Sequence, residues 1–193
     1  IIDIVIIYKN QINITLWIFI WHKLCLCDKL NNPMKISTKE ESENMELFVT
    51  DLDGTLINSK REVPKKSVKI LNELINQGVN FTVATARTPA TAVEILQDLD
   101  LKLPVALMNG VLIYDTRELK YIDIKRIEKE SANKVLDIFK SYNKNPLVYG
   151  VKDNHLWVYH KEFENVYEYN FYKERTDKKL KTFVKIENYK ESI

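Results

Sequence analysis

At 193 residues, with 45% hydrophobic and 29% charged side chains, the chain has room for one ordinary domain or one domain with a small companion, and its composition excludes a disordered or fibrous polypeptide. Its 29 basic and 27 acidic residues leave a net charge of +2, so charge provides no basic face for nucleic acid. The two cysteines, Cys25 and Cys27, are too close together to staple a fold, and a metal site built on them would have only His22 nearby as a further ligand; they read as inert thiols of a reducing, cytoplasmic compartment.

The chain begins at Ile1, and its first methionine is Met34. Residues 1–33 are rich in isoleucine and have no steady period of two or of 3.6. The apolar stretch from Ile12 to Trp21 is interrupted by Asn13 and falls short of the roughly 20 residues that a membrane helix needs. Neither a basic start nor a small-residue cleavage site marks a secretory signal. Residues 1–44 are therefore expected to be an extension and linker outside the domain, with residues 1 to about 33 translated upstream sequence rather than the rival membrane anchor. Lys39 to Asn44 forms the polar link to Met45, where the domain is expected to open.

From Met45 the pattern is orderly. Glu46 to Asp51 predicts a strand whose run Leu47-Phe48-Val49 suits burial on both faces, as in a parallel sheet. Pro64 opens a helix with an apolar stripe at Val68, Leu71, Leu74 and Ile75, ended by Gly78. Val79 to Thr85 is the next strand, Thr88-Pro89 starts a helix through Leu99, and Pro104 to Met108 is a third strand. This β-α-β-α-β order implies an α/β fold, a Rossmann-like, doubly wound parallel sheet that binds ligands beyond its strand ends. Three such ends carry Asp51/Asp53, Thr85/Arg87 and Asn109/Gly110.

After Gly110 the grammar changes. Short strands are predicted at Val111 to Asp115 and Lys120 to Ile124, and an amphipathic helix at Ile127 to Tyr142. Leu147 to Val151 and His155 to His160 form a hairpin turning at Asp153-Asn154, followed by a helix at Glu162 to Tyr172 and a strand at Lys181 to Ile186. Residues 45–115 thus read as a core, and residues 116–193 as an incomplete α+β unit inserted after it. His155 and His160, at odd spacing, face opposite sides of their strand and read as ordinary surface, whereas Trp157 and Tyr159 read as packing of that unit.

The chemistry concentrates in Asp51-Leu52-Asp53-Gly54-Thr55-Leu56. A phosphate monoester resists hydrolysis until a nucleophile, charge neutralisation and a proton for the leaving oxygen are supplied. Asp51 can attack phosphorus, and Asp53 can protonate the leaving alcohol and then activate water. Thr55 and the peptide N–H groups around Leu52 and Asp53 can hold phosphate oxygens. Mg²⁺ is expected on Asp51 and the main-chain carbonyl of Asp53. A Ca²⁺ loop is excluded by Leu56 where that loop requires glycine, and an exposed turn leaves the other two polar strand ends unexplained.

Together, Asp51-Leu52-Asp53-Gly54-Thr55-Leu56, Thr85-Ala86-Arg87 and Asn109-Gly110 before Val111-Leu112-Ile113-Tyr114-Asp115 resemble the haloacid dehalogenase-like phosphatases, in particular the Cof-type branch with its large α/β cap. The resemblance implies Asp51 as nucleophile, Asp53 as general acid/base, and Thr85 with Ala86 and Arg87 as a phosphate-binding segment. It places Asn109 and Gly110 near the substrate. It also implies a later lysine and a Gly-Asp-x-x-Asn-Asp segment, neither of which is present; no glycine follows Gly150, and the lysines from Lys173 to Lys190 all lie in cap sequence. The expectation is a Mg²⁺-dependent hydrolase of small phosphate esters (sugar phosphates or phosphorylated cofactors), present as an N-terminal fragment that is inactive or very weak by itself. Alternatives are a phosphomutase of the same superfamily and a non-catalytic binding remnant. A receiver-type domain fails on layout, because its acceptor Asp ends a later strand. The expected partner is a small phosphorylated molecule, with neither nucleic acid nor membrane involved; the sequence leaves the oligomeric state open.

Overall fold

A computed structural model of the chain describes residues 3–7 and 46–192. The readings for Cys25 and Cys27, the Ile12 to Trp21 stretch and the polar linker lie outside the described residues. The first described element is strand β1 (Asp3–Ile7), which pairs antiparallel with a strand far along the chain.

Strand β2 (Leu47–Thr50) runs parallel to β3 (Asn80–Val83), in register from Leu47 opposite Asn80 to Thr50 opposite Val83. Between them, helix α1 (Lys65–Asn76) follows Pro64 and turns Leu71 and Ile75 inward, as its apolar stripe requires. Gly78, at φ +97°, takes the left-handed conformation that ends the helix, and Val79 N–H closes onto the Leu74 carbonyl. Helix α2 (Pro89–Leu96) starts with proline in its first turn and buries Ala92 and Leu96. It stops three residues before the expected Leu99, whose N–H instead donates to the Leu96 carbonyl while its side chain stays buried.

The third strand differs from expectation. Strand β4 (Val105–Leu107) meets β3 only through a parallel bridge between Ala84 and Ala106, and its ladder partner is the antiparallel β5 (Leu112–Asp115), followed by β6 (Lys120–Ile124). Pro104 has no N–H to contribute to a ladder, and the Thr82 hydroxyl takes up its carbonyl at 2.6 Å. The parallel sheet is therefore a two-stranded ladder with β4 attached at the end that carries the polar residues.

The second unit contains α3 (Lys129–Ser141), β7 (Leu147–Lys152), β8 (His155–His160), α4 (Val166–Lys173), β9 (Lys181–Lys185) and a terminal 3₁₀ turn at Tyr189–Ser192. Its sheet has the order β1-β7-β8-β9. The β7–β8 hairpin turns on Asp153 and Asn154, both at positive φ, which matches the twist of a two-residue hairpin. The Asn154 side chain accepts the Tyr121 N–H and donates to the Leu119 carbonyl, tying the hairpin to β6.

Alternation decides what each face does. Tyr149 opposite Val158 and Val151 opposite Leu156 point into an apolar cluster shared with Leu52, Val83, Val105, Leu112 and Tyr114 of the first unit. The other face carries Val148 and Tyr159 against Ala132 and Leu136 of α3. The two histidines do occupy opposite faces, but His160 is a buried packing residue and not surface, because its ring stacks on Phe163 at 4.6 Å. Trp157 is half-buried beside His155. Among the described residues, no helix is long and apolar enough to cross a membrane.

Candidate active site

The site begins where β2 runs out. Thr50 is buried and in ladder register with Val83; the next residue, Asp51, emerges from the sheet. Its carboxylate accepts the N–H of Leu52 at 2.7 Å, and the chain then makes one wide turn through Leu56. Two features build that turn. Leu52 is fully buried and anchors it in the core, and Gly54 sits at φ +76°, a conformation that other residues reach only at a cost. The Ile57 N–H closes the turn on the Leu52 carbonyl at 3.1 Å. Asp53, Gly54 and Thr55 are left exposed on its outer side.

Main-chain bonds join the second and third strand ends to the first. Ala84 N–H donates to the Thr50 carbonyl and Thr85 N–H to the Ala106 carbonyl. The turn after β4 bonds back through Met108 N–H to the Arg87 carbonyl and Asn109 N–H to the Thr85 carbonyl, at 3.0 and 3.1 Å. Met108, Asn109 and Gly110 all have positive φ, a run that places two non-glycine residues in a disfavoured region and persists because those bonds hold it. The structure thus brings together the three polar strand ends that the sequence singled out.

Arg87 is the side chain that links them. Its Nε and Nη2 donate to the two carboxylate oxygens of Asp53 at 2.7 and 2.6 Å, a bidentate pair. That pairing, more than any other contact, holds the Asp53 carboxyl below the usual carboxylate range, with a smaller push from the charge of Arg61. Asp51 behaves oppositely. It is exposed on its outer edge, yet the protein on its inner side removes enough water to push its carboxyl up, and the nearby Asp53 charge adds to this against the Leu52 N–H. The surroundings thus shift the two carboxyls in opposite directions, Asp51 up and Asp53 down.

Thr85 is almost fully buried, and its hydroxyl accepts the Arg87 N–H at 3.3 Å. The Leu52 N–H, expected to face phosphate, is occupied here by the Asp51 carboxylate. Thr55, Ala86, Asn109 and Gly110 are exposed around the opening. Sequence reading passed over Arg61, on a turn closed by the Asn58 side chain, because a lone arginine in a polar loop has no pattern to betray it. It also passed over Arg175 and Lys178 of the second unit. With Arg61, Lys65, Arg87 and Glu94 they line a cleft of about 720 Å³ beside the Asp53–Arg87 pair, and Lys178 reaches across it to Glu94 on α2.

Residues 48–192 match the family model of the haloacid dehalogenase-like hydrolases. Over 99 residues the chain is 32% identical to the phosphatase YwpJ of Bacillus subtilis, a stretch covering 51% of this chain and 34% of that protein. It is 26% identical over 110 residues to the 5-amino-6-(5-phospho-D-ribitylamino)uracil phosphatase YcsE of the same organism, covering 57% of this chain and 44% of the relative. The chain thus matches between a third and a half of the length of these curated relatives. Among solved structures, a haloacid dehalogenase-like hydrolase from Bacteroides thetaiotaomicron superposes with a TM-score of 0.56 at 18% identity, covering 77% of this chain and 54% of that one. One from B. subtilis gives 0.53 at 24%, covering 76% and 56%, and both likenesses are of fold. The strand-end aspartate pair, the Thr-x-Arg strand end bonded to it and the second unit all fall within the matched residues, and the chain belongs to the haloacid dehalogenase-like hydrolases.

Proposed function

We propose that the chain carries the phosphoryl-transfer half of a Mg²⁺-dependent phosphatase for small phosphate monoesters, with Asp51 as nucleophile. The observation that carries this reading is the meeting of three polar strand ends, with the Asp51–Asp53 pair on the first and Arg87, from the Thr85 segment, bonded to Asp53. Asp51 attacks phosphorus in line; the bond to the ester oxygen breaks as the Asp51–phosphorus bond forms, leaving an acyl phosphate. Asp53 gives the departing oxygen its proton and then takes one from the water that cleaves the acyl phosphate. To act as an acid it must first leave Arg87 and take up a proton from solvent; the guanidinium then turns to the phosphate oxygens, for which its bidentate geometry suits it equally well. Thr85 and Thr55 hold the remaining oxygens. The two named phosphatases among the relatives support this substrate class.

The donor set suits Mg²⁺: the Asp51 carboxylate and the Asp53 main-chain carbonyl are hard oxygens that leave room for water and substrate ligands. A bound ion there would neutralise charge on the transferring phosphoryl group. Among the described residues no three His, Cys, Asp or Glu side chains gather to fix it, and no lysine is bonded to Asp51. The proposal therefore includes weak turnover by this chain alone, since losing members of a catalytic unit costs several orders of magnitude in rate.

The test is an assay with p-nitrophenyl phosphate and Mg²⁺, run beside a thermal-shift measurement with beryllium fluoride, a phosphoryl mimic that bonds to an ionised carboxylate. Slow turnover and a raised melting temperature, both abolished by Asp51→Asn, are expected. Turnover that survives Asp51→Asn overturns the nucleophile assignment. Fast turnover by this chain, abolished by that substitution, overturns the claim of weakness.

A further inference from the structure

We infer that Arg175 and Arg61, which both line the cleft beside the Asp53–Arg87 pair, form a subsite for a second anionic group, a carboxylate or phosphoryl carried by the leaving group of the substrate. This rests on the phosphatase reading above and adds what that reading leaves open, the class of ester. The cleft of about 720 Å³ is large enough for a small phosphorylated molecule, and Arg87 stands on its wall with two nitrogens on Asp53. Asp51 and Asp53 do not line this space themselves; Arg87 is the side chain the cleft and the aspartate pair share, so the remainder of a molecule whose phosphate is at Asp51 enters the cleft past Arg87.

The cations there differ in what they are free to do. Lys178 is bonded to Glu94, and Arg87 to Asp53. Arg175 is fixed without being used up. Its guanidinium carbon lies 4.0 Å from the centre of the Phe171 ring, and both of its hydrogen bonds leave through Nη1, to the Phe171 carbonyl at 3.2 Å and to Glu174 at 2.9 Å. Stacking and one anchored nitrogen orient the plane, and Nε and Nη2 make no hydrogen bond among the described residues. That pre-organised fork is what bidentate recognition of a carboxylate or phosphoryl group requires. Arg61 lines the core side, exposed on the turn that Asn58 closes.

Behind Arg175, Lys181 is only 3% exposed, lies 5.1 Å from the Phe183 ring centre and has no ion pair among the described residues. Burial, with the charges of Arg175 and Lys178, pushes its ammonium down to about 8. Lys181 thus adds to the positive charge that Arg175 and Lys178 bring to this side, and an anion in the cleft offsets part of it. Of the four wall acids, Glu94 and Glu174 are bonded to Lys178 and Arg175, which leaves Glu62 and Asp98 beside the cations Arg61, Lys65, Arg87, Arg175 and Lys178.

Phosphonates test this without depending on turnover, because their carbon–phosphorus bond is not cleaved. Calorimetry on the full chain with Mg²⁺ compares alkyl phosphonates with ω-carboxyalkyl phosphonates of two to six methylenes. The expectation is at least tenfold tighter binding of the carboxylated probe at one or more chain lengths. Arg175→Gln should remove most of that preference while leaving affinity for the plain phosphonate unchanged. Arg61→Asn, which tolerates the positive φ of its site, should reduce the preference independently, so the case does not hang on one variant's folding. Equal affinity for the two probe types at every length, or a preference that survives both substitutions, overturns the subsite while leaving the phosphate site standing. Failure of both probe types to bind overturns the phosphatase reading, and the subsite with it.

Discussion

Separating Arg87 from Asp53 should weaken the fold by a small, pH-dependent amount. The pair is bidentate at 2.6 and 2.7 Å, but Asp53 is 57% exposed and Arg87 19%, so water screens much of the attraction. Exposed pairs contribute about 0.2–1 kcal/mol, and two charge-assisted bonds in good geometry belong at the top of that range, near 1 kcal/mol. A double-mutant cycle with Arg87→Met and Asp53→Asn, read by urea denaturation, isolates the coupling. Because the folded-state Asp53 carboxyl is held below its ordinary value, the coupling is fully present above about pH 4, the range of an unfolded aspartate, and disappears as pH falls through the folded value. A coupling indistinguishable from zero at neutral pH, or one unchanged in acid, would falsify the assignment of Arg87 as the cause of the Asp53 shift.

Three further outcomes follow from the same geometry. Asp51→Asn should stabilise the metal-free chain slightly at neutral pH, by up to about 0.5 kcal/mol, because burial disfavours the ionised carboxylate; the gain should vanish below about pH 4, where the unfolded group is protonated too, and chemical denaturation at the two pH values checks it. Leu52→Ala, at a fully buried position beneath the turn, should cost about 2–5 kcal/mol, measured as a shift in urea midpoint with unchanged slope. Gly54→Ala meets no atom within 4 Å of the added carbon, so its penalty should be that of the left-handed backbone alone, about 1–2 kcal/mol, and Gly54→Asn should recover part of it.

Much of this was legible because the signals are local. Pro64, Gly78 and Pro89 mark helix ends, Asp153-Asn154 marks a hairpin, and polar residues stand out after apolar strands. Contacts between distant segments were not legible. Nothing in the periodicity of β4 announces that it ladders with β5 more than with β3, since that depends on Pro104 lacking a donor. The pairing of Asp3–Ile7 with β7 joins segments more than 130 residues apart that share no pattern. His160 looked like surface because a histidine in a strand is polar by letter, whereas its neighbours Phe163, Tyr172 and Phe183 make it part of an aromatic stack. Arg175 was invisible for the opposite reason, one cation among many in a lysine-rich stretch.

The bonds from Asn109 to Thr85 and from Met108 to Arg87 run entirely through main-chain atoms. Spacing between the strand ends is consequently independent of which side chains stand at Ala86 and Asn109, both of which face solvent. Ala86 can be exchanged freely, and Asn109, at φ +60°, for Gly or Asp, to alter what the opening admits without disturbing where the reacting carboxylates stand. A library confined to them would vary substrate choice on a fixed chemical frame, which makes this turn the natural place to begin retuning the protein.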